Sequence, residues 1–209
     1  MLDRLVGRLR GRNPGTVLRV AVDGPAVAGG AGLAAELADR LQAAGRPAAH
    51  LHAGDFLRPA SVRLERGRDD PDAFYSDALD VGALWREVLG PLGPGGDHRY
   101  LPSLWNPRTD RSTRASRRTV EPGAVVLVDG VFLLRPQLAA GFDVTVNLRL
   151  SPAARRRRVP ADDARRELPA YDRYDAEVAP AAVADLVVLW DDPARPALLD
   201  RLDRSTDRC

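Results

Sequence analysis

An apolar run at residues 17–23 (VLRVAVD) leads straight into a glycine-rich turn, residues 24–31 (GPAVAGGA), and then into leucines at Leu33, Leu37 and Leu41. The run has strand length. The leucine spacing lays one apolar stripe along a helix that Gly45 closes. Strand, tight glycine turn and helix make the first half of a βαβ unit, whose parallel strands need cover on both faces. The alternation continues along the chain. Residues 47–53 read as a second, weaker strand, and 124–128 as a central strand apolar on both faces. Residues 144–150 and 186–190 supply two more. Residues 80–89 read as a helix and 91–96 as a loop. The arginine-rich stretch 99–122 reads as loop or a short hairpin crossing the site. No internal repeat interrupts this pattern.

A chain of 209 residues fits one domain with a buried core. The division expected is an N-terminal amphipathic helix over 1–16, a body over 17–200 with a small lid at about 151–175, and a tail over 201–209. No stretch approaches the roughly 20 apolar residues that span a bilayer. The N-terminus lacks the continuous apolar segment of a secretory signal. The single cysteine, Cys209, leaves no internal disulfide, so the expectation is a cytoplasmic protein with no membrane partner. The formal net charge of +2 does not argue for nucleic acid. The run Arg155-Arg156-Arg157-Arg158 has no interleaved aromatics and reads as a solvated helix face or mobile lid. All 31 basic residues are arginine, the bias of a GC-rich genome.

That bias bears on the turn. In the phosphate-binding pattern GxxxxGK[ST], backbone N–H groups wrap phosphates, the lysine reaches the outer ones and the hydroxyl ligates magnesium. Gly24 and Gly29 stand at the correct spacing here, but Gly30 holds the lysine position and Ala31 the hydroxyl position. The turn keeps a helix N-terminus for an anion and lacks the cation and the metal ligand. A generic βα turn is the plainer reading of two glycines alone.

Five segments in order resemble the uridine kinase and phosphoribulokinase-like family, especially short actinobacterial uridine kinase-like proteins. They are VAVDG (20–24), GRDDPDAFYSDALD (67–80), PLGPGGDHRY (91–100), VVLVDGVFLL (125–134), and ARREL with YDRY (164–174). The resemblance implies an α/β fold of the P-loop NTPase type: a three-layer sandwich of about five parallel strands, helices on both faces and a small lid. It implies that active members transfer the γ-phosphoryl group of Mg-ATP to a nucleoside hydroxyl, with an aspartate in a D-x-F setting as base. Here that position is Gly54, and Asp55 falls one residue late, before Phe56. The family's aromatic-plus-aspartate pair appears as Trp105-Asn106.

The candidate catalytic residues are therefore Asp55, His52 and Asp129. Asp129 closes the central strand, and Asp23, ending the first strand, is expected near it. Asp23 also suits turn chemistry before Gly24. His52 is either a general acid–base or a structural histidine at a strand end. His50 and His52 share a face, a weak metal signal with no third ligand nearby, and no metal site is assigned. On the substrate side stand Asp72, Phe74, Tyr75, Tyr100, Trp105, Asn106, Arg165 and Arg166. Asp72 has two readings, a partner for sugar hydroxyls and a helix N-cap.

With lysine, hydroxyl and the aligned base all altered, ordinary phosphoryl transfer loses the groups it depends on. Three readings remain. One is an enzyme acting on a nucleoside-like or other polar metabolite without ATP. Another is an atypical kinase using Mg-ATP, with Arg58, Arg165 or Arg166 replacing the lysine. The third is a non-catalytic pseudokinase that binds a ligand or partner. No cofactor is assigned outside the second reading. The expected partner is a small molecule, nucleic acid is not expected, and self-association stays open.

Overall fold

Six strands form the central sheet of the computed structural model, which describes residues 1–13 and 15–202. In chain order they are β1 (Leu18–Asp23), β2 (Ala48–His52), β3 (Val125–Gly130), β4 (Val144–Arg149), β5 (Leu186–Leu189) and β6 (Ala197–Asp200). Their order across the sheet is β6-β5-β4-β1-β3-β2. The first five run parallel, as the alternating pattern predicts, and β6 adds an antiparallel edge. This sixth strand extends the five parallel strands expected. It is short, half-exposed and preceded by a proline, so it lacks the apolar run that marks the others.

β3 shows why the central strands are apolar throughout. Val125 and Leu127 pack in one core cluster, and Val126 and Val128 in the other. On the first face, α1 (Leu2–Arg10) and α2 (Gly30–Ala43) bury Leu5, Leu9, Leu33, Leu37 and Leu41 against β1, β3 and β4. Each fully buried leucine contributes about 1.5–3 kcal/mol. The second face is covered by helical segments at Val81–Leu84 and Trp85–Leu89 and by α4 (Ala161–Val178), which follows the short α3 (Pro152–Arg158). Phe74, Tyr75, Phe132, Tyr171 and Tyr174 form an aromatic group here, with centroid separations of 5.0–6.3 Å.

The chain passes from β1 through α2 to β2, returns to β3 between them, and then crosses to β4 on the far side of β1. The switch opens a crevice at the carboxyl ends of β1 and β3, where open α/β sheets bind ligands. Gly24 N–H donates to Gly130 O (3.1 Å) across it. Residues 99–119 form two small antiparallel pairings, Arg99–Tyr100 with Arg118–Thr119 and Trp105–Asn106 with Arg111–Ser112. Among the described residues no helix is long and apolar enough to cross a membrane.

Candidate functional site

The crevice holds a cavity of about 250 Å³. One wall is the glycine turn, including Gly24, Gly29, Gly30 and Ala31; the opposite wall includes His52, Phe74, Asp129 and Glu167. The turn winds through Ala26–Ala28. It enters α2 at Gly29, whose φ of +74° is the left-handed conformation glycine adopts without strain. The first N–H groups of α2 thus open at the cavity without intrahelical acceptors. Gly30 has ordinary backbone and room: a Cβ there meets Leu148 Cδ1 at 3.7 Å and Asp129 Cβ at 3.9 Å.

Parallel register brings the acid–base groups together. His52 lies opposite Asp129 on neighbouring strands, and His50 lies two residues back on the same face. Both imidazoles bond to the buried Asp129 carboxylate, His50 Nε2 to Oδ1 (2.6 Å) and His52 Nδ1 to Oδ2 (2.9 Å). Burial pushes Asp129 up, but the two histidine hydrogen bonds outweigh it and hold the carboxyl below its usual range. The bond to Asp129 raises His52 above its ordinary value, with burial opposing. Anionic Asp129 accepts from both rings, which leaves the His52 Nε2 lone pair for other partners when the ring is neutral. The ring is half exposed. It also lies over Gly54: a Cβ built at Gly54 falls 2.4 Å from His52 Nε2. The imidazole therefore occupies the volume that a side chain at position 54 would need.

Glu167 is the functional candidate that sequence reading missed. The ARREL segment drew attention to its arginines, whereas the buried Glu167 lines the cavity and accepts from Tyr171 Oη (3.1 Å) and Arg166 Nη2 (3.1 Å). Tyr171 Oη in turn accepts from Ala26 N–H in the glycine turn (3.3 Å). The signal was the i, i+4 spacing of Glu167 and Tyr171, but only tertiary structure shows what they face.

Of the residues singled out from sequence, His52, Asp129, Phe74 and the turn residues Gly24, Gly29, Gly30 and Ala31 converge on this cavity. Arg166 stands behind it, 5.0 Å over the Phe74 ring and paired with Asp163 and Glu167. The others lie outside the lining. Asp55 is half-buried, raised first by its burial, and its carbonyl accepts from Leu104 N–H (2.9 Å). Tyr75 and Tyr100 are core residues. Trp105 donates to Asp110 (3.0 Å), and Asn106 caps its own turn by accepting from Arg108 N–H (2.9 Å). Arg165 is exposed. No residue of 99–122 lines the cavity, which corrects the expectation of a hairpin crossing the site.

Two further expectations need correction. Asp72 does not cap a helix: Asp70 does, accepting from Ala73 N–H (2.6 Å) with Pro71 as the first helical residue, while exposed Asp72 pairs with Arg173 (2.8 Å). Asp23 follows the residue paired with Asp129, so its side chain points to the opposite face. There it accepts from Leu133 N–H (2.9 Å), Asn147 Nδ2 (2.8 Å) and Tyr174 Oη (3.1 Å), which makes it a buried bracket. Among the described residues, no group of three or more His, Cys, Asp or Glu side chains is arranged to hold a metal ion.

No protein-family model matches the chain, and no curated protein matches it by sequence. Solved structures do match. A possible uridine kinase from Bacillus stearothermophilus has a TM-score of 0.74 at 21% identity, covering 89% of this chain and 96% of its own. A candidate fructose transport system kinase from Silicibacter sp. TM1040 has a TM-score of 0.64 at 22% identity, covering 90% and 98%. A D-glycerate 3-kinase from Cryptococcus neoformans var. grubii has a TM-score of 0.54 at 16% identity, covering 86% and 80%. At these identities the likeness shows the fold: the chain is an α/β protein of the P-loop kinase-like type, with a mostly parallel sheet between helices.

Proposed function

We propose that this chain is a small-molecule enzyme on the P-loop kinase scaffold, in which His52, oriented by Asp129, exchanges a proton with a small polar or nucleoside-like metabolite. One observation carries the reading. The imidazole fills the volume above Gly54, the position where the resemblance puts the kinase base, and its Nδ1 is held by a buried carboxylate. A carboxylate behind an imidazole fixes the ring's tautomer and stabilises the imidazolium that forms when Nε2 takes a proton. The cavity of about 250 Å³ is smaller than the roughly 300–1,000 Å³ of drug-sized pockets, which favours a compact substrate.

Mg-ATP does not fit this residue set. Gly30 and Ala31 supply neither cation nor hydroxyl, and no arginine lines the cavity, whose charged wall residues are Asp129, Glu167 and His52. The arginines offered as substitutes, Arg58, Arg165 and Arg166, are absent from the lining, and Arg166 pairs through Nη2 with Asp163 and Glu167 and lies over the Phe74 face. With neither the cation nor the hydroxyl in the turn, no step is assigned to a triphosphate.

The test starts with ligand-induced thermal shift against nucleosides, sugar phosphates and other polar metabolites, with and without magnesium. With the stabilising compound as substrate, His52→Gln and Asp129→Asn are each expected to lower turnover by about 10² or more. Unchanged turnover in both variants would show that the dyad is not the acid–base group.

A further inference from the structure

Tyr75, the neighbour of cavity-lining Phe74, lines a separate cavity of about 400 Å³ together with Ser76, Arg135, Gln137, Arg173 and Glu177. None of its lining residues is shared with the His52 cavity. Its singular member is Arg135, which is 7% exposed and has no carboxylate partner among the described residues. Arg135 Nε donates to Phe132 O (3.2 Å) and Nη1 to Tyr75 O, and its guanidinium carbon sits 5.2 Å from the Tyr75 ring centroid. Nη2 has no partner among the described residues.

Buried Asp23 attracts it from a distance but makes no bond to it. Arg173 stacks on the same ring at 4.5 Å and takes both adjacent carboxylates, Glu177 through Nε (2.7 Å) and Asp72 through Nη1 (2.8 Å). Tyr75 Oη also donates to Glu177 (3.0 Å). The side chains of Ser76 and Gln137 make no hydrogen bond among the described residues. A buried guanidinium facing a cavity beside a second one, with unused donors around it, is stabilised by an anion that spans them. Two carbonyls and a ring face offset only part of its desolvation.

We propose that this cavity is an oxyanion site, taking a phosphoryl or carboxylate group on the free edge of Arg135, with Arg173 and Ser76 as further donors. It stands independently of the His52 reading. The experiment follows the arginine Nε–H signals of the full chain by NMR during titration with inorganic phosphate, with acetate, and with chloride at matched ionic strength. The expected result is saturable displacement of the Arg135 and Arg173 signals by phosphate or acetate and none by chloride. Tighter phosphate binding identifies a phosphoryl ligand, and tighter acetate binding a carboxylate. Ser76 is exposed and Arg173 partly so, hence Ser76→Ala and Arg173→Gln should fold normally. Arg173→Gln should weaken the binding at least about tenfold, and Ser76→Ala should weaken it measurably. Absence of saturation with either oxyanion, an equal response to chloride, or full affinity in both variants would overturn the site and leave Arg135 as a structural clasp.

Discussion

At positions 52 and 54 an imidazole and a missing side chain share one volume. His52 can lie over the chain because Gly54 presents no Cβ, and Asp129 holds the ring from the other side. Two predictions belong here. By NMR, His52 titrates above its ordinary value of about 6.5, and Asp129→Asn brings it back down. Because the folded value is raised, the stability that His52 contributes is complete below about pH 6.5 and is lost as pH rises through the folded value. Second, Gly30 has space for a side chain, so Gly30→Lys with Ala31→Ser should fold with stability within about 1 kcal/mol of wild type by urea denaturation. Larger destabilisation would mean that the turn has lost the shape of a phosphate loop. The strand-end histidine and the glycine positions were legible in sequence. What His52 touches was not, since Asp129 lies 77 positions away and meets it only through strand register.

Elements position the site by a few long-range hydrogen bonds. α4 reaches the glycine turn through Tyr171, which accepts from Ala26 N–H and donates to Glu167, and reaches β1 through Tyr174 and Asp23. Tyr171→Phe removes both hydroxyl bonds and should cost about 1–2 kcal/mol in urea denaturation, with faster amide exchange at Ala26. Asp23→Ala leaves Leu133 N–H, Asn147 and Tyr174 without their acceptor and should cost about 3 kcal/mol or more. Burial pushes Asp23 up to about 6, so the native state holds its proton more tightly than the unfolded chain. The contribution of Asp23 to stability therefore falls as pH rises from about 4 to about 6 and is level above. Subtracting an Asp23→Asn pH series from wild type isolates this slope. The central parallel strands β1 and β3 could be read from sequence because burial on both faces forces near-continuous apolar runs, whereas the edge strand β2, with His50 and His52, gave a weaker signal. The antiparallel edge could not, because one neighbour and partial exposure impose no such pattern.

Over the whole molecule, the parallel sheet and its helical layers follow from alternating strands and helices, while the strand order, with its one switch in direction, comes from the tertiary structure. The fold was accordingly legible, and the similarity to solved kinases of several substrates agrees with it. The activity is not fixed by that likeness, because chemistry resides in side chains at the strand ends. At this site those side chains are a histidine–aspartate pair, a buried glutamate and a turn without lysine. The most direct measurement is a calorimetric titration of the wild-type chain with Mg-ATP. No saturable binding in the glycine turn is expected. Saturable binding accompanied by transfer of the terminal phosphoryl group to an acceptor would contradict that expectation.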